Sequence, residues 1–99
     1  MSKYHAKREG KYASKRESRR AKELAIMESI GLISGLEEQV KYELVPKQEG
    51  ERSVTYIADF RYVQNGVEIT EDCKGMRTPY YILKRKLMLW VHGIRVLET

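Results

Sequence analysis

Apolar and polar positions alternate on both sides of Asn65-Gly66, and this pattern predicts a β-hairpin over residues 53–74. An Asn-Gly pair supplies the two positive φ angles that a type I′ turn requires. A two-residue loop at this point sets the register of the whole hairpin. The implied cross-strand pairs are Gln64 with Val67, Tyr62 with Ile69, Phe60 with Glu71, and Asp59 with Asp72.

Helical periodicity predicts one helix before the hairpin, over residues 14–33. Ser14-Lys15-Arg16-Glu17 has the form of a capping box. The apolar positions that follow are expected to face the core: Ala21, Leu24, Ala25, Ile26, Ile30 and Ile33. Glu17 has two interpretations on this pattern: it caps the helix, or it is an acidic group directed at the sheet.

A second helix is predicted after the hairpin, with Thr78 as the N-cap, Pro79 at the first position and Gly93 at the end. Its predicted core stripe consists of Tyr80, Leu83, Leu87, Trp90 and Val91.

Two further strands complete the expected fold. Alternation predicts a strand over residues 38–46, and a short apolar run predicts a closing strand over residues 94–97. The element order is α-β-β-β-α-β. We therefore expect a single α+β domain with a mixed central sheet and two flanking helices.

Length and composition narrow the class of protein. A chain of 99 residues makes one domain, and it has neither a run of 18 apolar residues nor a signal-peptide pattern, so a soluble cytosolic protein is expected. One cysteine, Cys73, excludes an internal disulfide and a cysteine-based zinc site. An inert buried thiol is the favoured interpretation of Cys73, over a nucleophile paired with His5 or His92.

The net charge of +5 is concentrated near the start of the chain. Residues 1–22 hold nine basic and two acidic residues, whereas the remainder holds ten basic and twelve acidic ones. This distribution predicts a flexible basic arm over residues 1–12 and a domain over residues 13–99. Tyr4, Tyr12 and His5 are interleaved with the cations, as in segments that contact nucleic acid. A solvated tail is the alternative.

The hairpin register also predicts a chemical site. Opposed carboxylates at Asp59 and Asp72 repel each other unless a cation lies between them. Alternation along the strand puts Lys74 on the same face as Asp72. Two acids and one ammonium group on one patch of sheet are typical of a divalent metal site that handles phosphate.

The chain resembles the PD-(D/E)XK nuclease superfamily in three respects: the element order, an acidic residue in the first hairpin strand, and the pattern acidic-x-Lys in the second. It differs at Ala58, where the motif that names the superfamily has proline. The motifs resemble more closely those of a family of small phage-borne proteins of unassigned function. The matching motifs are Ser14-Lys15-Arg16-Glu17, Tyr56-Ile57-Ala58-Asp59-Phe60, Glu71-Asp72-Cys73-Lys74-Gly75, Thr78 and Lys84.

The resemblance implies a restriction-endonuclease-like core and a metal-dependent DNA endonuclease, related to Holliday-junction resolvases, in the cytoplasm of a phage-infected bacterium. It implies that Mg²⁺ or Mn²⁺ is held by Asp59, Asp72 and the carbonyl of Cys73, with Glu17 completing or orienting the ligands. Lys74 would position the attacking water or offset charge at the phosphate. The expected DNA contacts are Lys7, Arg8, Lys11, Lys15, Arg16, Thr78, Lys84 and Lys86.

The sequence also bears on the second acidic ligand, the oligomeric state and the alternative functions. Glu71 competes with Asp72 as the second acidic ligand: a three-residue loop would put Glu71 opposite Asp59 but would point it away from Lys74, which favours Asp72. A homodimer is expected for cutting both strands, with Met76, Met88 and Trp90 as surplus apolar residues. A non-catalytic DNA-binding accessory and a structural interaction domain are the alternative functions.

Overall fold

The computed structural model describes Tyr12 and residues 14–99. Its elements follow the predicted order: α1 (Lys15–Ser29), β1 (Ser34–Val45), β2 (Val54–Gln64), β3 (Val67–Asp72), α2 (Pro79–His92) and β4 (Leu97–Glu98). The strands form one mixed sheet in the order β1-β2-β3-β4, in which only β3 and β4 are parallel. The predicted α+β class, element order and mixed sheet are therefore confirmed. No helix in the described part of the chain is long and apolar enough to cross a bilayer.

The β2–β3 hairpin forms in the predicted register. Asn65 and Gly66 have φ angles of 53° and 76°, as the two central residues of a type I′ turn require. Phe60 pairs with Glu71, and Tyr62 pairs with Ile69. The two-residue loop thus leaves Asp59 next in line opposite Asp72.

The two helices cover opposite faces of the sheet. Successive side chains on a strand point to opposite faces, so Glu71 and Asp72 must diverge. Glu71 is bound by Arg20 of α1, whereas Asp72 is bound by Tyr56, whose ring lies 6.4 Å from that of Tyr81 on α2. Each face therefore has its own core.

The two cores differ in composition. The core beside α1 is built from Ala21, Leu24, Ile33, Phe60 and Tyr62. The core beside α2 is built from Tyr42, Leu44, Tyr56, Ala58, Tyr81, Met88 and Val96.

Strand β2 changes the face that it buries at Asp59. Tyr56 and Tyr62 are six residues apart, an even spacing that normally keeps side chains on one face, yet they bond to Asp72 and Glu71 on opposite faces. The residue facing Asp59 in the β1–β2 register is Gln39, which has a φ of 55°. This local irregularity turns both strands and lets one strand serve both cores. Simple alternation along the hairpin did not predict it.

The predicted core stripe of α2 is wrong for four of its five residues, since only Leu87 packs against the core beside α2. Tyr80, Leu83, Trp90 and Val91 are exposed, and the residues that fill the core are Tyr81 and Met88. The Tyr81 hydroxyl donates to Glu98 at 2.7 Å, so burial of this ring leaves its polar end satisfied. The helix ends are as predicted, with Thr78 as the N-cap and Gly93 in the left-handed conformation.

Three other boundaries differ from expectation. α1 ends at Ser29. Ile26 and Ile30 are exposed because the helix buries only one side, which is formed by Glu17, Ser18, Ala21 and Leu24. β1 begins four residues earlier than predicted, at Ser34. The last strand is shorter and later than residues 94–97, since it pairs with β3 only through Leu97 and Glu98.

Candidate functional site

Asp59 and Asp72 lie together at the end of the hairpin, where β2 changes face. Asp59 Oδ2 accepts a hydrogen bond from the backbone N–H of Cys73 at 2.8 Å, and its side chain shares a hydrogen bond with Asp72. Burial, the hydrogen bond with Asp72 and the negative charges of Asp72 and Glu17 raise the pKa of Asp59 to about 8, against the influence of the Cys73 N–H. Asp59 therefore keeps its proton at neutral pH.

Lys74 supplies the cation of the site. Its Nζ lies 3.3 Å from Asp72 Oδ1 and 4.5 Å from the centre of the Tyr81 ring. Lys74 lies two residues after Asp72, the last residue of β3, and its backbone N–H donates to the carbonyl of Thr99 at 3.2 Å. The predicted proximity of Asp72 and Lys74 is thus present.

Tyr56 is the second partner of Asp72 and was not among the predicted site residues. Its hydroxyl donates to Asp72 Oδ2. Burial and the hydrogen bond to Asp72 raise the pKa of Tyr56 far above its usual range, so the hydroxyl stays protonated and remains a donor. The face change at Asp59 brings Tyr56 to this side, which is why the alternation pattern gave no signal for it.

Glu17 lies in the first turn of α1 and is 5% exposed. Ser14 caps the helix by accepting from the Glu17 backbone N–H at 3.1 Å. The Glu17 carboxylate accepts from Gln39 Nε2 at 3.0 Å, and its charge contributes to the raised pKa of Asp59. Glu17 is therefore directed at the sheet beside Asp59, and Gln39 is the strand residue that holds it there.

Glu71, the rival ligand, belongs to the opposite face. It is fully buried and accepts two hydrogen bonds from Arg20, at 2.6 and 3.1 Å, and one from the Thr99 hydroxyl at 2.9 Å. Tyr62 donates a further hydrogen bond. Burial alone would raise the pKa of Glu71, but the hydrogen bonds from Arg20, Tyr62 and Thr99 outweigh it and lower the pKa. Glu71 is saturated by protein donors, which leaves Asp72 as the acid beside Lys74.

The side chains at this site are suited to a hard divalent cation that takes only a few of its ligands from the protein. No three His, Cys, Asp or Glu side chains within residues 14–99 lie close enough to enclose an ion. Mg²⁺ is usually held by one or two carboxylates and keeps several waters. Asp59 and Asp72 fit this pattern, because they lie together and the charge of Asp72 contributes to the raised pKa of Asp59. Asp59 and Asp72 would be the direct ligands, and Glu17 would lie behind Asp59.

A cavity of about 380 Å³ opens beside Lys74 at the N-terminal end of α2. Thr78 and Lys84 line it together with Lys74, so the structure brings these three predicted residues to one place. Lys84 Nζ lies 4.5 Å from the centre of the Tyr80 ring. Two ammonium groups at a helix N-terminus make this cavity suitable for a phosphate group.

The other predicted contact residues are spread over different surfaces. Arg16 lines a second cavity with Arg19, Arg20 and Thr99, on the α1 side, and Lys15 is exposed nearby. Lys86 lines a third cavity, with Arg85 and Arg95. Lys7, Arg8 and Lys11 lie outside the described residues. Cys73 is half-buried with its thiol 3.3 Å from the Thr99 hydroxyl, and burial raises its pKa, as expected for an unreactive thiol.

The fold and site define a small α+β domain with a carboxylate pair and a lysine at the end of a hairpin. Residues 1–93 match the family described as "Protein of unknown function (DUF1064)", and the chain belongs to this family. No curated protein and no solved structure matches the chain.

Proposed function

We propose that this protein is a metal-dependent DNA endonuclease of the PD-(D/E)XK type, acting in the cytoplasm of a phage-infected bacterium. The observation that carries the proposal is the arrangement of Asp59, Asp72 and Lys74. Two neighbouring buried carboxylates beside an ammonium group have a clear use at a metal and phosphate site, and they are costly elsewhere. Branched or replication-linked DNA is the substrate class that the resemblance implies.

Mg²⁺ or Mn²⁺, when bound, would supply charge neutralisation at the phosphate and lower the pKa of a nucleophilic water. Asp59 and Asp72 would hold the ion, with the carbonyl of Cys73 as the predicted third donor. To do so, Asp59 must release the proton that it holds at neutral pH. The Cys73 N–H orients the Asp59 carboxylate, and the negative charge of Glu17 contributes to its raised pKa.

Lys74 would act on the substrate phosphate. Its Nζ is restrained by Asp72 Oδ1 and the Tyr81 ring, so the ammonium group has a fixed position beside the carboxylate pair. A preorganised positive charge stabilises the charge that develops on the phosphate oxygens during in-line attack. Lys84 and Thr78 would hold a neighbouring phosphate of the strand in the adjoining cavity. These backbone contacts carry no sequence information.

One chain provides one such site, and cleavage of both strands of a duplex needs two. We therefore propose that two copies act together on DNA. Of the apolar residues first considered for their contact, Met88 is fully buried in the core, whereas Met76 and Trp90 are exposed.

A non-catalytic DNA-binding accessory is the second candidate. One observation favours it: both oxygens of Asp72 already have protein partners, Tyr56 and Lys74. A carboxylate committed to these partners would act as part of a structural network and not as a ligand.

A cleavage screen distinguishes the two candidates. Linear, flapped and four-way DNA would be incubated with and without Mg²⁺, using the parent protein and the variants Asp59→Asn, Asp72→Asn and Lys74→Ala. Glu68→Gln is the matched control, because Glu68 is an exposed carboxylate on the same strand as Asp72. The endonuclease proposal predicts Mg²⁺-dependent cleavage by the parent and by Glu68→Gln, and a loss of about 100-fold or more in the three site variants.

Binding without metal provides the second measurement. The two Asp→Asn variants should bind DNA at least as tightly as the parent, because a negative charge near the phosphates is removed. A Lys74→Ala or Asp72→Asn protein that cleaves as fast as the parent would refute the endonuclease proposal. DNA binding by a parent protein that cleaves no substrate would establish the accessory function.

A further inference from the structure

Helix α2 carries a second apolar stripe, mostly exposed, beside its core-facing side. Tyr80, Leu83, Leu87 and Trp90 are spaced by three, four and three residues, the spacing of the contact positions in a two-helix seam. Tyr80 is 65% exposed, Leu83 53% and Trp90 82%, and Leu87 is half-buried. We call these four residues the outer stripe.

Three of the four outer-stripe residues, Tyr80, Leu83 and Trp90, are largely in water, whereas Leu87 also packs against the core beside α2. The core side of α2 is formed by Tyr81 and Met88, which are 7% and 0% exposed. Tyr80, Leu83 and Trp90 follow one another along one side of the helix, and all three are largely in water. Contiguous exposed apolar surface of this kind is typical of an interaction site.

The charges beside the outer stripe restrict what can cover it. Lys84 follows Leu83 and Lys86 precedes Leu87, the flanking positions that choose partners in helix pairs. No acidic residue occurs in α2, from Pro79 to His92. The rim of the stripe is therefore positive along the helix.

Two possible occupants have the wrong charge. A second copy would place its own Lys84 and Lys86 beside those of the first, since a two-fold contact repeats the same patch on both sides. The segment 1–11 holds four basic residues and one acidic residue, so its net charge is also positive. Like charges at close range oppose both associations.

We propose that the outer stripe docks an amphipathic helix of another protein, with leucine-type residues on its apolar face and Glu or Asp at the flanking positions. Tyr80 and Trp90 at the two ends of the stripe carry aromatic rings, but Leu83 and Leu87 between them offer neither hydrogen bonds nor a ring for a base to stack on, which favours a protein helix over nucleic acid. The inference does not depend on the endonuclease proposal. It gives the protein a route to a multi-protein complex through the outer stripe of α2.

Trp90 provides the readout, because it is the one tryptophan in the chain. The probe is a designed three-heptad peptide without tryptophan, with Leu at the seam positions and Glu at the flanks. A second peptide carries Lys at the flanks and is otherwise the same. Titration of the full-length protein should shift Trp90 emission to shorter wavelength with the Glu peptide and leave it unchanged with the Lys peptide. Added salt should weaken the binding without abolishing it.

Variants test whether the outer stripe is the site. Leu83→Glu should weaken binding of the Glu peptide about tenfold or more. The matched control is Leu32→Glu, a leucine that is 55% exposed in the turn after α1, and it should bind as the parent does. Lys86→Glu should weaken binding of the Glu peptide and create binding of the Lys peptide. Thermal melts of all three variants verify folding. The Lys86→Glu result is a gain of binding to the Lys peptide, so a misfolded protein could not produce it.

Four results would overturn the proposal. The first two are equal binding of both peptides and binding of neither. The third is self-association of the parent, by sedimentation equilibrium, that Leu83→Glu abolishes, since a second copy would then be the occupant. The fourth is a Trp90 emission shift caused by a single-stranded oligonucleotide and lost in Leu83→Glu.

Discussion

The Tyr56 hydroxyl donates its hydrogen bond to Asp72 Oδ2, inside the core between the sheet and α2. Asp72 is 1% exposed and Tyr56 4%, so water cannot replace this donor easily. Lys74 reaches the other oxygen of the same carboxylate. A buried acid at the end of a hairpin is thus held by one neutral and one charged donor.

Tyr56→Phe should destabilise the domain, because it removes a donor from a buried carboxylate and leaves the ring in place. We expect a loss of about 1–3 kcal/mol in the free energy of unfolding, measured by urea denaturation without metal. Tyr80→Phe is the matched control, since the Tyr80 ring is exposed, and it should change the stability by less than about 0.5 kcal/mol. Equal effects of the two substitutions would contradict the role of the Tyr56 hydroxyl.

The stability of the metal-free protein should fall as pH rises from about 4 to about 8. The pKa of Asp59 is raised from an ordinary value of 3.8 to about 8, so the folded state binds this proton in a range where the unfolded state has released it. Stability from this group is fully present below pH 3.8 and is lost as pH approaches 8, with a slope of at most about 1.4 kcal/mol per pH unit. Urea titrations at a series of pH values measure it.

Asp59→Asn is the control for that pH dependence. The variant should lose the decrease between about pH 5 and pH 8, because an asparagine side chain has no titratable proton to release. Glu98 has a pKa lowered from 4.5 to about 2, chiefly by the Arg77 hydrogen bond, and its stabilisation is lost only below pH 4.5. The two effects therefore occur in separate pH ranges. An unchanged slope in Asp59→Asn would show that another group titrates.

Arg20→Ala should be among the most destabilising single substitutions in α1. It would leave the fully buried Glu71 carboxylate without its charged partner, which typically costs about 3–5 kcal/mol. Arg19→Ala removes the same kind of side chain from the exposed neighbouring position and should change stability by less than about 0.5 kcal/mol. Thermal and urea unfolding of both variants measure the difference, and similar values for the two would refute it.

Deletion of residues 1–11 should weaken DNA binding and leave the fold intact. The deletion stops before Tyr12, whose hydroxyl donates to Glu38 at 3.4 Å and whose ring packs on the α1 core. It removes four basic residues, so the slope of log affinity against log salt should flatten by up to about 3–4. Fluorescence anisotropy with duplex DNA at several salt concentrations measures this. An unchanged slope would make the segment a tail without DNA contacts.

The hairpin was predictable because its signal is local. Asn65-Gly66 dictates the turn, and the turn dictates the register as far as Phe60 and Glu71, which turns Glu71 away from the face of Asp72. The ends of α2 were predictable for the same reason, since a Thr-Pro start and a Gly end depend only on neighbouring backbone groups.

The inner face of α2 was not predictable from periodicity. The helix has two apolar stripes, and the sequence does not rank Tyr80 and Trp90 against Tyr81 and Met88. The choice is made by distant partners, because Glu98 satisfies the buried Tyr81 hydroxyl. The face change at Asp59 was hidden likewise, since it depends on the backbone of Gln39 in another strand. Tyr56 and Gln39 therefore enter the site only through tertiary structure.

The Arg20–Glu71–Thr99 contact has a consequence for the order of folding. The hairpin closes over two residues, whereas Glu71 meets Arg20 from 51 residues away and Thr99 from 28. Loop-closure entropy makes such long-range pairings late events compared with a local turn. The backbone N–H of Thr99 donates to the carbonyl of Asp72, and the backbone carbonyl of Thr99 accepts from the N–H of Lys74. The late docking of Thr99 therefore also fixes the backbone beside the carboxylate pair. We expect the hairpin to form early in folding and the end of β3 to become rigid only when α1 and β4 dock on it.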